Sequence, residues 1–276
     1  MTRYVGLVNV HTDGNSLALA GGVVLRPPEE TDHLWASQFG GLPAFRRIES
    51  VLQIDYETRL DRGIQADARL PVHELFRFAM SLQQNAAAGE ALVVDRVNAI
   101  RMHGNLSRQE GINPWGRPLF LKQNDGYEIA FFMRRLQEET ATGDDRARRI
   151  GRAAQSYQSA MMRRFDAIGE QFIDAWIALE GLFGEQYETT ASLSFRIPAF
   201  VEINGAKRRQ LWQQTRDDYA KRSRYIHGGD IEENELPTQS AIQIASRALR
   251  RVLEEPSPYP HAPREIELRF LETGTL

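Results

Sequence analysis

The sequence predicts an α+β protein: a mixed α/β domain over residues 1–143, then an all-α helical bundle over residues 144–256, then a Pro-rich tail over residues 257–276. Three observations lead there. The first half alternates short runs of β-favouring residues with glycine-containing turns. The second half repeats apolar residues at three- and four-residue steps. Between them the polar stretch Glu138-Glu-Thr-Ala-Thr-Gly-Asp-Asp145 separates the two textures and is read as the domain boundary.

In the first half, Tyr4 to Val10 and Ser16 to Ala20 flank the turn-forming Thr12-Asp-Gly-Asn15, and Val23-Val-Leu25 follows Gly21-Gly22. This is the pattern of short antiparallel strands. Val51, Ile54 and Tyr56 mark another strand, and Leu92 to Met102 a further one. Between them Pro71 to Gln84 predicts a helix, with Leu75, Phe78, Ala79 and Leu82 on one face and Pro71 suited to the first turn.

The helical half opens with Asp144 or Asp145 as N-cap and with Ala147, Ile150, Ala154, Tyr157, Met161, Phe165 and Ile168 as one continuous stripe. A second stripe, Phe172, Trp176, Leu179 and Phe183, runs to Gly184, whose lack of Cβ suits a helix end. A third helix covers Ser192 to Val201, where Pro198 either kinks it or marks its start. The fourth begins near Ala206, carries Leu211, Thr215, Tyr219, Arg222 and Ile226 on one face, and stops at Gly228-Gly229. A fifth spans Thr238 to Leu253 on Ala241, Ile244 or Ala245, Ala248 and Val252, and ends before Pro256-Ser-Pro-Tyr-Pro-His-Ala-Pro263. The final Glu265-Ile-Glu-Leu-Arg-Phe270 alternates as a short strand that can return to the first domain.

Composition narrows the function. With 42% hydrophobic and 26% charged residues the chain is ordinary for a folded protein. No apolar run approaches the ~20 residues that cross a bilayer, and the start lacks a signal-like stretch, so a cytoplasmic protein without a membrane partner is expected. Cysteine is absent, which excludes disulfides and thiolate chemistry. A net charge of -3 argues against a general nucleic-acid coat and leaves room for a local basic cleft. His11, His33, His73, His103 and His261 are scattered without ligand spacing, so neither a metal nor a cofactor is expected.

Arg222 is the anomaly of the fourth helix, because it falls in the stripe where an apolar residue belongs. A charge there needs a partner or a purpose. Ser223 and His227 are four apart and stack one turn above another, so their side chains can touch. Arg222 and His227 are five apart, roughly 140° from each other around a straight helix. They converge if the last turn unwinds at Gly228-Gly229 or if a second copy of the helix brings its own pair alongside. His227 falls in the last turn, where the helix dipole favours imidazolium.

Three blocks, Ile177-Ala-Leu-Glu-Gly-Leu-Phe183, Ser192-Leu-Ser-Phe-Arg-Ile197 and Tyr219-Ala-Lys-Arg-Ser-Arg-Tyr-Ile-His-Gly228, resemble in order and spacing the Apea-like branch of the HEPN family. The resemblance covers roughly the C-terminal two-fifths, and the last block carries most of its weight. Pro198 departs from the smooth helical pattern. The resemblance implies a helical bundle that dimerises so that two motifs face a shared cleft, and that in many members cleaves RNA without metal. The chemistry suits the residues. RNA carries its own nucleophile in the 2′-hydroxyl, so the protein need only move protons and stabilise charge at phosphorus. His227 suits proton transfer near neutral pH, and Arg222 can offer a phosphate two parallel charged hydrogen bonds. Ser223 either orients His227 or contacts a phosphate oxygen, Glu180 holds Arg222, and Tyr219 belongs to the same supporting group. Lys221 and Arg224 are the candidate RNA-binding residues.

Plainer readings stand beside these. Arg222 paired with Glu180 can simply lock two helices, and His227 can simply cap one. Lys207-Arg-Arg209 can guide RNA or form a solvated face, and Asp217-Asp218 weakens the first reading. Arg146-Ala-Arg-Arg149 is read as a solvated helix start, and Tyr157, Trp176, Phe183 and Trp212 as core. Two functions follow: a metal-independent endoribonuclease, such as a toxin or antiviral effector whose first half senses a trigger, or a non-catalytic dimeric module that holds a protein or nucleotide.

Overall fold

Glycines at positive φ, Gly14 at 87° and Gly22 at 82°, turn the chain between the first strands of the computed structural model. The structure describes residues 2–8, 10–19, 22–29, 50–55, 72–84, 89–96, 119–163, 167–185, 190–255, 259–260 and 262–273. Pro71, Tyr56, residues 97–102, Phe165, His33, His103 and His261 lie outside them. The protein is α+β with a helical C-terminal part, and it divides into two compact units, Met1–Gln137 and Glu138–Leu276.

In the first unit, β1 (Thr2–Val8), β3 (Leu17–Ala18), β4 (Val23–Arg26), β5 (Ser50–Asp55) and β6 (Gly89–Arg96) form an antiparallel sheet in the order β3-β4-β5-β1-β6. Among the described residues the strands that flank Thr12-Asp-Gly-Asn15 do not pair with each other. β1 pairs instead with β5 and β6, Val5 opposite Leu52 and Val93, while β3 pairs with β4 across the next turn. β2 (Val10–Thr12) leaves this sheet and runs parallel to β7 (Leu119–Leu121). Three-residue strands are too short for period-two alternation to show, so β7 had no signal in the sequence. α1 (Val72–Gln84) buries Leu75, Phe78, Ala79 and Leu82 as its spacing predicts, and also Phe76 and Met80, so more than one face is covered. A further helix, α2 (Gln123–Thr140), is not among those expected from the sequence and buries Ile129, Phe132, Met133 and Leu136. It absorbs Glu138 to Thr140 of the polar stretch, and the turn that follows is made at Gly143, φ 68°.

In the second unit, α3 (Asp145–Met162) starts where Asp144 accepts the Ala147 N–H at 2.7 Å. Its stripe does not continue to Ile168. Arg163 is extended, and α4 (Ile168–Phe183) begins afresh, which lets the two helices pack on each other rather than leave one long face unpartnered. The two helices lie close at Gly181, where an added Cβ would make ordinary van der Waals contact with the Ala153 nitrogen at 3.5 Å. Gly184 ends α4 in an extended conformation, φ -82°; there a Cβ would meet the Glu180 carbonyl at 2.5 Å. α4 packs against α3, α5 (Thr190–Val201), α6 (Gly205–Ile226) and α7 (Thr238–Glu254). Pro198 sits inside α5, whose last turn is wholly buried, and its carbonyl still accepts the Glu202 N–H at 3.0 Å. α7 buries Ala241, Ile244, Ala245, Ala248 and Val252, the stripe its spacing predicts.

The chain end corrects two expectations. Glu265 to Phe270 is not a strand returning to the first domain but part of α8 (Arg264–Thr273), which packs on α5. Glu, Leu and Arg favour helix, and over six residues Ile266 and Phe270 fit an i, i+4 face as well as an alternating one. Ile266 is buried, Phe270 stands edge-on to Phe195 at 5.3 Å, and Glu267 accepts from Arg196 Nε at 2.7 Å. Arg196 is 3% exposed and also donates to the Phe183 carbonyl at 2.9 Å. Before α8, Tyr259 is buried against Phe183 and Phe200 and donates to the Leu182 carbonyl at 2.8 Å. Arg146 lies over the Tyr259 ring, bonds its carbonyl and pairs with Glu139, and Arg149 faces the Tyr259 hydroxyl at 3.5 Å, so these two are structural, whereas Arg148 is solvated as expected and pairs with the exposed Asp145.

Candidate functional site

α6 positions the motif residues. Asn204 caps its start by accepting from the Ala206 and Lys207 N–H groups at 3.0 and 3.2 Å. At its end Gly228 takes φ +70°, Gly229 N–H reaches the Arg224 carbonyl at 2.8 Å and Gly228 N–H faces the Tyr225 carbonyl at 3.5 Å. This paired closure satisfies terminal carbonyls and makes His227 the cap residue. The last turn therefore does not unwind before His227, and its N–H still bonds the Ser223 carbonyl at 3.1 Å.

The face that α6 buries differs from the expected stripe. Leu211, Thr215 and Asp218 are buried, with Arg222 half-buried after them, while Ile226 is 43% exposed. The steps four, three and four make Asp218 a member of this arc, a signal present in the sequence but hidden by reading Tyr219 in its place. Trp212, expected in the core, is 38% exposed and lies under the Arg216 guanidinium at 5.0 Å.

Arg222 Nη2 donates to Glu180 Oε2 of α4 at 2.9 Å, with the two side chains 18% and 25% exposed. Its guanidinium stands 5.6 Å from the Tyr219 ring, which in turn packs edge-on against Trp176 at 5.2 Å. Arg222 Nε is buried without a hydrogen-bond partner among the described residues. Burial raises the Glu180 carboxyl above its ordinary range, opposed by the Arg222 charge and by hydrogen bonds from Tyr219 and Arg222. Arg222, Glu180 and Tyr219 are thus brought together in one chain. His227 is not: it is exposed, at roughly 140° around α6 from Arg222. Among the described residues neither the His227 imidazole nor the Ser223 hydroxyl makes a side-chain hydrogen bond, so the stacked pair does not touch in that way.

Of the two RNA-binding candidates, Arg224 is exposed, whereas Lys221 Nζ donates to the Glu235 carbonyl at 2.8 Å and holds the short 3-10 turn Glu233–Glu235. Beside it is a polar cluster that local spacing does not reveal. Ser240 of α7 donates to Asp218 Oδ2 at 3.1 Å and accepts from Gln214 at 2.5 Å. Burial pushes the Asp218 carboxyl up to about 6, with Asp217 adding to the rise and Ser240 and Lys221 opposing it. On the same side Tyr225 donates to Glu233 at 2.9 Å above Gly169, where an added Cβ would lie 2.0 Å from the tyrosine oxygen. Among the described residues no group of three or more His, Asp or Glu is placed to hold a metal ion, and no helix is long and apolar enough to cross a membrane. Compared with protein-family models, curated proteins and solved structures, the chain matches none.

Proposed function

We propose that the protein is a metal-independent endoribonuclease of HEPN type, acting as a homodimer whose two α6 helices contribute to one cleft. The observation that carries this reading is the exposed His227 at a firmly capped helix end, with Arg222 anchored to α4 little more than a turn earlier. Because the two lie on different sides of one helix, a second copy must complete the site. His227 moves protons between the 2′-hydroxyl and the leaving 5′-oxygen as the 2′-oxygen bonds phosphorus and the P–O5′ bond breaks. Among the described residues Glu180 engages a single nitrogen of Arg222, which leaves further donors for phosphate oxygens. Tyr219 supports Arg222 from its ring face. In this reading the first unit senses a trigger, as in a toxin or antiviral effector.

The test is cleavage of mixed RNA by the full chain in chelator, beside His227→Ala and Arg222→Lys. His227→Ala should lower the rate ~10²–10⁴-fold, and Arg222→Lys should impair it by losing the planar fork. Sedimentation should show a dimer at micromolar concentration. Folded, dimeric variants that cleave as well as the parent would remove the proposal. A second reading, a non-catalytic dimeric module that holds a protein or nucleotide, is favoured by the Arg222–Glu180 pair, which by itself accounts for a charged residue on the inner side of α6.

A further inference from the structure

The solvent side of α6 carries a line of residues that leads to His227, in which Arg209, Trp212, Arg216 and Ala220 are exposed and have no role in the motif. At about 100° per residue, Arg209, Arg216, Ala220 and His227 fall within roughly 40° of one line along the helix, with Trp212, Ser223 and Arg224 within about 60° to either side. Arg209, Trp212, Arg216, Ala220, Arg224 and His227 are all exposed, and Ser223 is half-buried. From Arg209 to His227 the line is about 27 Å long at 1.5 Å per residue. The buried residues Leu211, Thr215 and Asp218 occupy the opposite side.

We propose that this face is a binding track for single-stranded RNA, with Trp212 stacking a base and Arg209, Arg216 and Arg224 meeting phosphates on the way to His227. A tryptophan held at the surface with its ring against a guanidinium, rather than buried, offers a flat apolar face beside a cation. Sequence-tolerant binding of single strands combines these two elements, stacking platforms and a line of positive charge. Of the acids nearby, one reaches the line and would have to yield Arg216 to a phosphate. Asp217 pairs with Arg216 at 3.2 Å from the flank, and the acidic segment Glu232–Glu235 sits on the other side of the helix, tied there through Lys221 and Tyr225. The absence of a large residue at Ala220 keeps the middle of the line low. The choice of RNA as occupant rests on the nuclease reading; the track itself rests on exposure and charge.

The experiment uses the full-length His227→Ala chain, so that binding is read without turnover, and a fluorescein-labelled single-stranded RNA of mixed sequence followed by anisotropy. In that background Trp212→Ala should weaken binding about 10-fold, within the range expected for loss of one stacked base. Arg209→Ala with Arg216→Ala should weaken it further and reduce the slope of log K against log salt by about 1.4, at ~0.7 per phosphate released. All three positions are exposed, and circular dichroism checks that the variants stay folded. RNA binding unchanged by both sets overturns the track and leaves the nuclease reading intact. No RNA binding by the folded His227→Ala chain also overturns it. Weakened binding in the variants, together with a parent chain that fails to cleave, supports the track and sinks the nuclease. Unchanged RNA binding with a Trp212→Ala chain that sediments as monomer assigns the face to a protein contact and overturns the proposal.

Discussion

α4 and α6 lie against each other and are held in opposite ways. α4 buries eight of its sixteen residues, all of them apolar side chains or glycine. α6 is longer, at 22 residues, yet buries three, and two of those are Thr215 and Asp218. Burial of apolar area holds most of α4 without regard to pH, and Glu180, toward its end, is its partly desolvated ionisable group. α6 depends instead on paired polar groups, Arg222 with Glu180, Asp218 with Ser240 and Lys221 with the Glu235 carbonyl. Such pairs add little net stability but penalise any state in which one partner is missing. The contrast places the fold's apolar anchor in α4 and a more polar, less buried packing in α6.

The largest effect should come from the anchor. Trp176→Ala is expected to lose about 3–5 kcal/mol in chemical denaturation, since the side chain is fully buried between Phe172 and Tyr219. A loss under about 1 kcal/mol would mean that α4 is not the anchor. Arg222→Ala comes next. It leaves the Glu180 carboxylate without its guanidinium in a half-buried place and should lower stability by about 1–2 kcal/mol. Adding Glu180→Gln should restore part of that loss, and a double-mutant cycle with no coupling would show that the pair does not hold α6.

Asp218 sharpens the comparison through pH. Its carboxyl is raised to about 6 in the folded chain, above its value in the unfolded one, so the folded state binds the extra proton between about pH 4 and pH 6. Stability from this group therefore falls as pH rises through that window, and at neutral pH the ionised carboxylate is a burden on α6. Asp218→Asn should be more stable than the parent at pH 7 by about 1 kcal/mol after screening, and its stability should vary less from pH 4 to 6. An unchanged pH profile in Asp218→Asn would count against a buried, raised carboxyl. The smallest effect is expected at His227, which is exposed: His227→Ala should shift stability by less than about 0.5 kcal/mol. A large loss there would make His227 part of the scaffold.

Much of the second unit is legible in the sequence because the stripes of α4 and α7 are long and apolar, and Asp144, Gly184 and Gly228 mark ends by local chemistry. α6 is less legible. Its composition is polar all round, so the arc through Leu211, Thr215, Asp218 and Arg222 competes with one through Tyr219 and Ile226, and Trp212 was assigned inward by residue type alone. The first unit is the least legible. Its strands are two to eight residues long, and the pairing of β1 with β5 and β6 joins segments far apart in the chain. α8 misled because six residues fit both periods.

By itself the sequence determines what depends on a few neighbouring residues: where helices start and stop, which stripe is apolar enough to be buried, and that Arg222 and His227 point to different sides of one helix. Only the tertiary structure decides which polar residues are drawn inward and which chain segments belong together. Arg222 meets Glu180 across 42 residues, and Arg196 meets Glu267 across 71. Those pairings follow from which helices pack side by side, and local spacing carries no information about partners so far along the chain.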